Sequence, residues 1–160
     1  MAARDKTNPF ATFSMWTSIQ RCNALKKEYE MKHSFTYKKV IKGRFDLCLQ
    51  EPFTADPEQQ QLITLAELPA GTVADILFVT TSRDMDAVAE LVLHLDTYFN
   101  EMKRWNNESF LSRHLKQLGI KVDGCPNIKF KLARGERSYI DSLWYYARRL
   151  RNKFRSLQKQ

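Results

Sequence analysis

The chain has 160 residues, with 26 Lys or Arg against 18 Asp or Glu and a formal net charge of +8. Hydrophobic residues make up 43% and aromatic residues 12%, which suits one compact core and excludes a chain disordered over most of its length. The longest apolar run, Ile76-Leu77-Phe78-Val79, falls far short of the ~20 residues that cross a bilayer, and residues 1–6 lack the apolar stretch of a secretory signal.

In chain order, residues 1–8 read as a loose tail. A helix is predicted over 10–31, where Phe13, Trp16, Ile19, Ala24 and Tyr29 approximate a helical stripe. Over 34–50, Phe35 and Tyr37, then Phe45, Leu47 and Leu49, alternate with polar neighbours around Lys42-Gly43, which predicts a β-hairpin with Cys48 as a small packed residue. Residues 51–72 hold Pro52, Pro57, Pro69 and Gly71 and read as loop, with a short strand at 62–65. A buried strand follows at 75–80.

Thr81 or Ser82 caps a long helix over 84–104, with Val88, Leu91, Val92, Leu95, Phe99 and Met102 on one face. Asn106-Asn107 offers the N-cap of a helix over 108–118 whose Phe110, Leu111, His114, Leu115 and Leu118 point inward, and Gly119 closes it. An alternating strand at 128–132 follows. Ser138-x-x-Asp141 then opens a fourth helix to about 157, with Trp144, Leu150 and Phe154 among its apolar residues. The fold class expected is α+β, a single compact domain with a small β-sheet or hairpin and four helices. Its N-terminal α/β part spans 1–100 and its basic part spans 101–160.

Charge is segregated along this chain. Residues 1–50 carry ten Lys or Arg and four Asp or Glu, residues 51–100 carry one and nine, and residues 101–160 carry fifteen and five. A net +10 in the last block suggests a polyanionic partner. The acidic middle block either packs beside that surface or faces elsewhere.

Three stretches supply its candidate contacts. Arg113, Lys116 and Gln117, with Ser112, lie outward on the 108–118 helix and suit base edges in a groove. Lys129, Lys131, Arg134 and Arg137 suit phosphates. Arg148, Arg149, Arg151 and Arg155 extend the track along the last helix, where Tyr145 and Tyr146 could stack on bases. A basic amphipathic helix of this kind also fits an acidic protein partner or a membrane surface, but its apolar stripe runs on to Leu157, which favours packing on the core over lipid, so no membrane partner is expected.

Phe110, Arg113, Leu115, Lys116, Gly119 and Ile120, followed by Arg134, Gly135, Arg137 and Tyr139, resemble a recognition helix and wing. The family nearest in pattern is the C-terminal winged-helix segment of phage and plasmid helicase-primases. The resemblance covers about thirty residues near 108–140 and implies a winged-helix element that binds DNA. No helicase motif accompanies it, and Asp123-Gly124-Cys125-Pro126 is extra to a simple wing.

Evidence for catalysis is thin. The three cysteines are widely spaced, which suits reduced thiols in a cytoplasm-like compartment rather than disulfides, and no paired Cys/His motif suggests zinc. Asp84 and Asp86 are accounted for by a helix N-terminus. Pro69-Ala70-Gly71-Thr72 lacks a Walker pattern. The expectation is therefore a cytoplasmic, non-enzymatic nucleic-acid-binding accessory protein of phage or plasmid type, without metal or cofactor, DNA being favoured over RNA. The alternative is a subunit or inhibitor docking on a larger nucleoprotein assembly.

Overall fold

Helix α1 (Pro9–His33) begins at Asn8, whose Oδ1 accepts the Phe10 N–H at 2.9 Å, with Pro9 in the first turn where its missing N–H costs nothing. It ends at Ser34, which is left-handed at φ 53°. The computed structural model describes residues 8–65, 67–68, 72–124 and 128–132. The predicted 138–157 helix lies outside them, as do Arg134, Arg137, Arg148, Arg149, Arg151 and Arg155.

The strands are β1 (Val40–Gly43), β2 (Leu47–Leu49), β3 (Gln61–Thr64), β4 (Glu67–Leu68), β5 (Thr72–Val73), β6 (Leu77–Thr80), β7 (Lys121–Gly124) and β8 (Phe130–Leu132). The main sheet has the order β1-β6-β3-β7. Its β1, β6 and β3 neighbours run antiparallel, and β7 lies parallel to β3 with Leu62 opposite Val122. β2 pairs antiparallel with β8, and β4 with β5. β6 is buried at all four positions and forms the centre of the fold.

The expected 34–50 hairpin is corrected by this pairing. Gly43 is not a turn residue but the end of β1, opposite Leu77, and a Cβ there would meet only ordinary contact with Leu77 Cδ1 at 3.5 Å. The turn falls one step later, where Leu47 N–H reaches Arg44 C=O and the Arg44 guanidinium holds both Asp46 oxygens at 2.7 Å. Each strand then finds a partner far away in sequence. Cys48 lies exposed rather than packed.

The predicted 84–104 helix is interrupted. It comprises α2 (Ser82–Ala89), a 3-10 stretch over Glu90–His94, and α3 (Leu95–Met102). At the break, the Glu90 N–H reaches Ala87 C=O, and His114 Nε2 lies 2.9 Å from the same oxygen. A side chain inserted into the ladder is a known cause of such breaks. The described residues therefore contain three of the four expected helices, one of them broken, in an α+β arrangement.

The start of α2 follows the local prediction. Thr81 Oγ1 accepts the Asp84 N–H, and Asp84 Oδ2 in turn accepts from Thr81 Oγ1 and the Gln60 N–H, each at 2.8 Å.

One core joins these elements. Trp16, Leu62, Phe78, Val88, Leu91, Leu95, Tyr98, Phe110, Leu111 and Leu115 are fully buried in a single cluster. Its members come from both sides of residue 100. α1 contributes less than its stripe suggests: Trp16 is buried, but Ala24 and Tyr29 are exposed. The helix meets α2 partly through polar groups instead. Lys26 Nζ lies 3.2 Å from Glu30 Oε2 and 2.9 Å from Asp86 Oδ1, and Asn23 Nδ2 donates to Asp86 at 2.8 Å. No helix among the described residues is long and apolar enough to cross a membrane.

Candidate functional site

Helix α4 (Asn107–Leu118) carries three of the proposed contact residues, and local chemistry sets both its ends. Asn106 is extended and its Oδ1 accepts the Ser109 N–H at 2.7 Å. Gly119 adopts φ 68°, a left-handed value that glycine takes without a Cβ penalty, and its N–H reaches back to α4 carbonyls. Phe110, Leu111, His114 and Leu115 are buried, as their spacing predicts. That fixes which residues face out.

Of these, Lys116 and Gln117 are exposed and Arg113 is half-buried. Arg113 Nε donates to Glu101 Oε2 at 3.1 Å, an exposed pair of the kind that contributes only about 0–1 kcal/mol. Gln117 Oε1 lies 2.5 Å from the Tyr98 hydroxyl. Lys116 makes no ion pair among the described residues. Ser112 is corrected: its Oγ accepts the Val73 N–H at 2.8 Å and donates to Glu108 C=O at 2.7 Å, so it holds β5 against α4 instead of facing a ligand.

Beneath this face lies a network that sequence reading missed. The Tyr98 hydroxyl lies 2.8 Å from His114 Nδ1, and the His94 ring stacks on Tyr98 with centroids 5.7 Å apart. Ala87 C=O can only accept, so His114 carries its proton on Nε2. Burial holds the His114 pKa below the usual imidazole value, opposed by the bond to Ala87 and helped by His94. Burial likewise raises Tyr98. The available signals were His94 and Tyr98 four apart and His114 and Gln117 three apart, spacings that share one helix face.

After Gly119, β7 enters the main sheet and β8 pairs with β2. β7 and β8 thus belong to different sheets and do not pair with each other. Along β8 the pattern is regular: Phe130 and Leu132 are half-buried, and Lys129 and Lys131 are exposed, with no ion pair among the described residues. Lys121 is engaged with Asp123 at 3.1 Å. Hydrogen bonds from Gln61 and Lys121 hold the Asp123 carboxyl below its ordinary pKa.

The ion pairs show where the acidic block goes. Lys26 pairs with Asp86, and Lys38 and Lys39 both pair with Asp56 at 3.0 and 3.7 Å. Asp75 and Asp84 are buried. Two carboxylates of the acidic block, Asp56 and Asp86, are thus engaged by basic residues of 1–50. Among the described residues no ion pair joins the acidic block to 101–160, where the two pairs formed are internal.

No family model, curated protein or solved structure matches this chain.

Proposed function

We propose that this protein is a non-enzymatic nucleic-acid-binding accessory factor, of the replication or regulatory kind found in phages and plasmids, binding through the basic surface of residues 101–160. The observation that carries the reading is the allocation of ion pairs. Asp86 and Asp56 of the acidic block are paired with Lys26, Lys38 and Lys39, and among the described residues Lys116, Lys129 and Lys131 of the last block make no ion pair. A phosphate backbone supplies the missing counter-charge.

In this reading Lys116 and Arg113 approach DNA along α4, and Gln117 stays partly occupied with Tyr98. Lys129 and Lys131 hold phosphates from β8. Arg134, Arg137, Arg148, Arg149, Arg151 and Arg155 continue the track by sequence. DNA is favoured over RNA because a rigid helix flanked by lysines suits a duplex groove.

The test is fluorescence anisotropy with random duplex DNA, single-stranded DNA and RNA. The expected result is duplex binding that weakens in a Lys116→Glu/Lys129→Glu/Lys131→Glu variant and in an Arg148→Glu/Arg149→Glu/Arg151→Glu variant. Absence of binding to all three at low salt overturns the proposal, and the basic surface then belongs to docking on a larger nucleoprotein assembly.

A further inference from the structure

A groove of about 600 Å³ runs between α1 and β1, with Met85 of α2 also lining it. Its walls include Met15, Ile19, Val40 and Ile41, and its rim carries Phe45 fully exposed. The size falls in the range of small-molecule sites, which are apolar with a few placed polar groups. Two polar residues of its lining stand out.

The first is Lys42. Its ammonium donates to Asp75 C=O and lies 5.7 Å from the centroid of the Phe78 ring. It makes no ion pair among the described residues. The other cations of the groove are committed, Lys26 to Glu30 and Asp86, and Arg44 to Asp46. Burial pushes the Lys42 ammonium below the usual lysine pKa, against the attraction of the more distant Asp75 carboxylate and with the repulsion of Arg44. An anion seated beside it would offset that cost.

The second is Asn23, only 7% exposed. Its Nδ2 is fixed on Asp86, and its buried Oδ1 has no hydrogen-bond partner among the described residues. That oxygen is closed off from the groove, so Asn23 serves as wall and Lys42 is the group a ligand meets.

We propose that this groove binds a small amphipathic acid: an acyl chain along Ile19 and Val40, and a carboxylate on Lys42. The chain would cover the exposed side chain of Phe45 at the rim. Lys42 selects the acid by charge.

The probe is N-decanoylglycine, compared with its methyl ester and titrated into the full chain below its micellar range by calorimetry, with NMR shift mapping. The acid should bind saturably, with shifts centred on α1 and β1, and at least about tenfold more tightly than the ester. Lys42→Met, which keeps the bulk of the stem, should erase that difference while circular dichroism stays unchanged. Ile19→Trp should abolish binding of both by filling the groove. Equal affinity for acid and ester, full acid preference in a folded Lys42→Met variant, or no saturable binding below about 1 mM would overturn the proposal.

Discussion

Acidification should loosen the core through His114. The neutral imidazole is buried, with Nε2 on Ala87 C=O and Nδ1 beside the Tyr98 hydroxyl. Its folded pKa is depressed below the ordinary value near 6.5. An unfolded chain therefore takes up a proton at His114 before the folded one does. The stabilisation is present above about pH 6.5 and is lost as the pH falls through the folded pKa.

One excluded proton gives a slope of at most about 1.4 kcal/mol per pH unit. For a chain of this size that corresponds to a fall in Tm of about 3–6 °C per unit. The carboxylates held below their ordinary pKa, Glu30, Asp56 and Asp123, act in the same direction but below about pH 4.5, so the two windows separate. Calorimetric melts between pH 7.5 and 5 should show the loss in the native chain. A His114→Gln variant should lose that part of the slope, with a lower Tm at pH 7.5. A flat native profile over this range, or the same slope in the variant, would refute the assignment to His114.

Other consequences are simpler. Gly119→Ala meets nothing within 4 Å, so its cost is that of the left-handed backbone alone, about 1–2 kcal/mol, or roughly 2–8 °C in thermal melts. Asn106→Ala removes the α4 cap and should cost about 1 kcal/mol in urea unfolding, and Asn106→Asp should restore it. Phe110→Ala opens a cavity beside Trp105 and Tyr98 and should cost about 3–5 kcal/mol in the same assay. Glu101→Gln releases Arg113 from its ion pair and should strengthen duplex binding modestly in anisotropy titrations, without a change in Tm beyond 1–2 °C.

Features set by a few neighbouring residues were legible in the sequence. The Thr81 and Asn106 caps, the Gly119 ending and the buried face of α4 each depend on groups within about one helical turn. Pairing between distant strands was not legible. Lys42-Gly43 has turn chemistry, yet β1 lies against β6, a strand buried at every position, and no local residue encodes such a partner. The break near Ala87 was hidden for the same reason, since the side chain that meets the Ala87 carbonyl there is His114, 27 residues away.

Polar interiors also escape apolar periodicity. α1 shows a stripe ending in Ala24 and Tyr29, but its contact with α2 runs through Asn23 and Lys26. At the candidate site, outward orientation on α4 was readable for Lys116 and Arg113, and β8 alternation for Lys129 and Lys131. The engagement of Ser112 with Val73 was not, because it depends on where β5 docks.

The most direct measurement of the central claim is the salt dependence of duplex binding. Phosphates neutralised by Lys and Arg release counterions, so log K should fall linearly with log salt, with a slope of about −0.9 for each contact. The native chain should show a steep slope of several contacts, and Lys129→Glu/Lys131→Glu should lower it by about 2. A slope near zero, or one unchanged by removing both lysines, would contradict a phosphate-binding surface on residues 101–160.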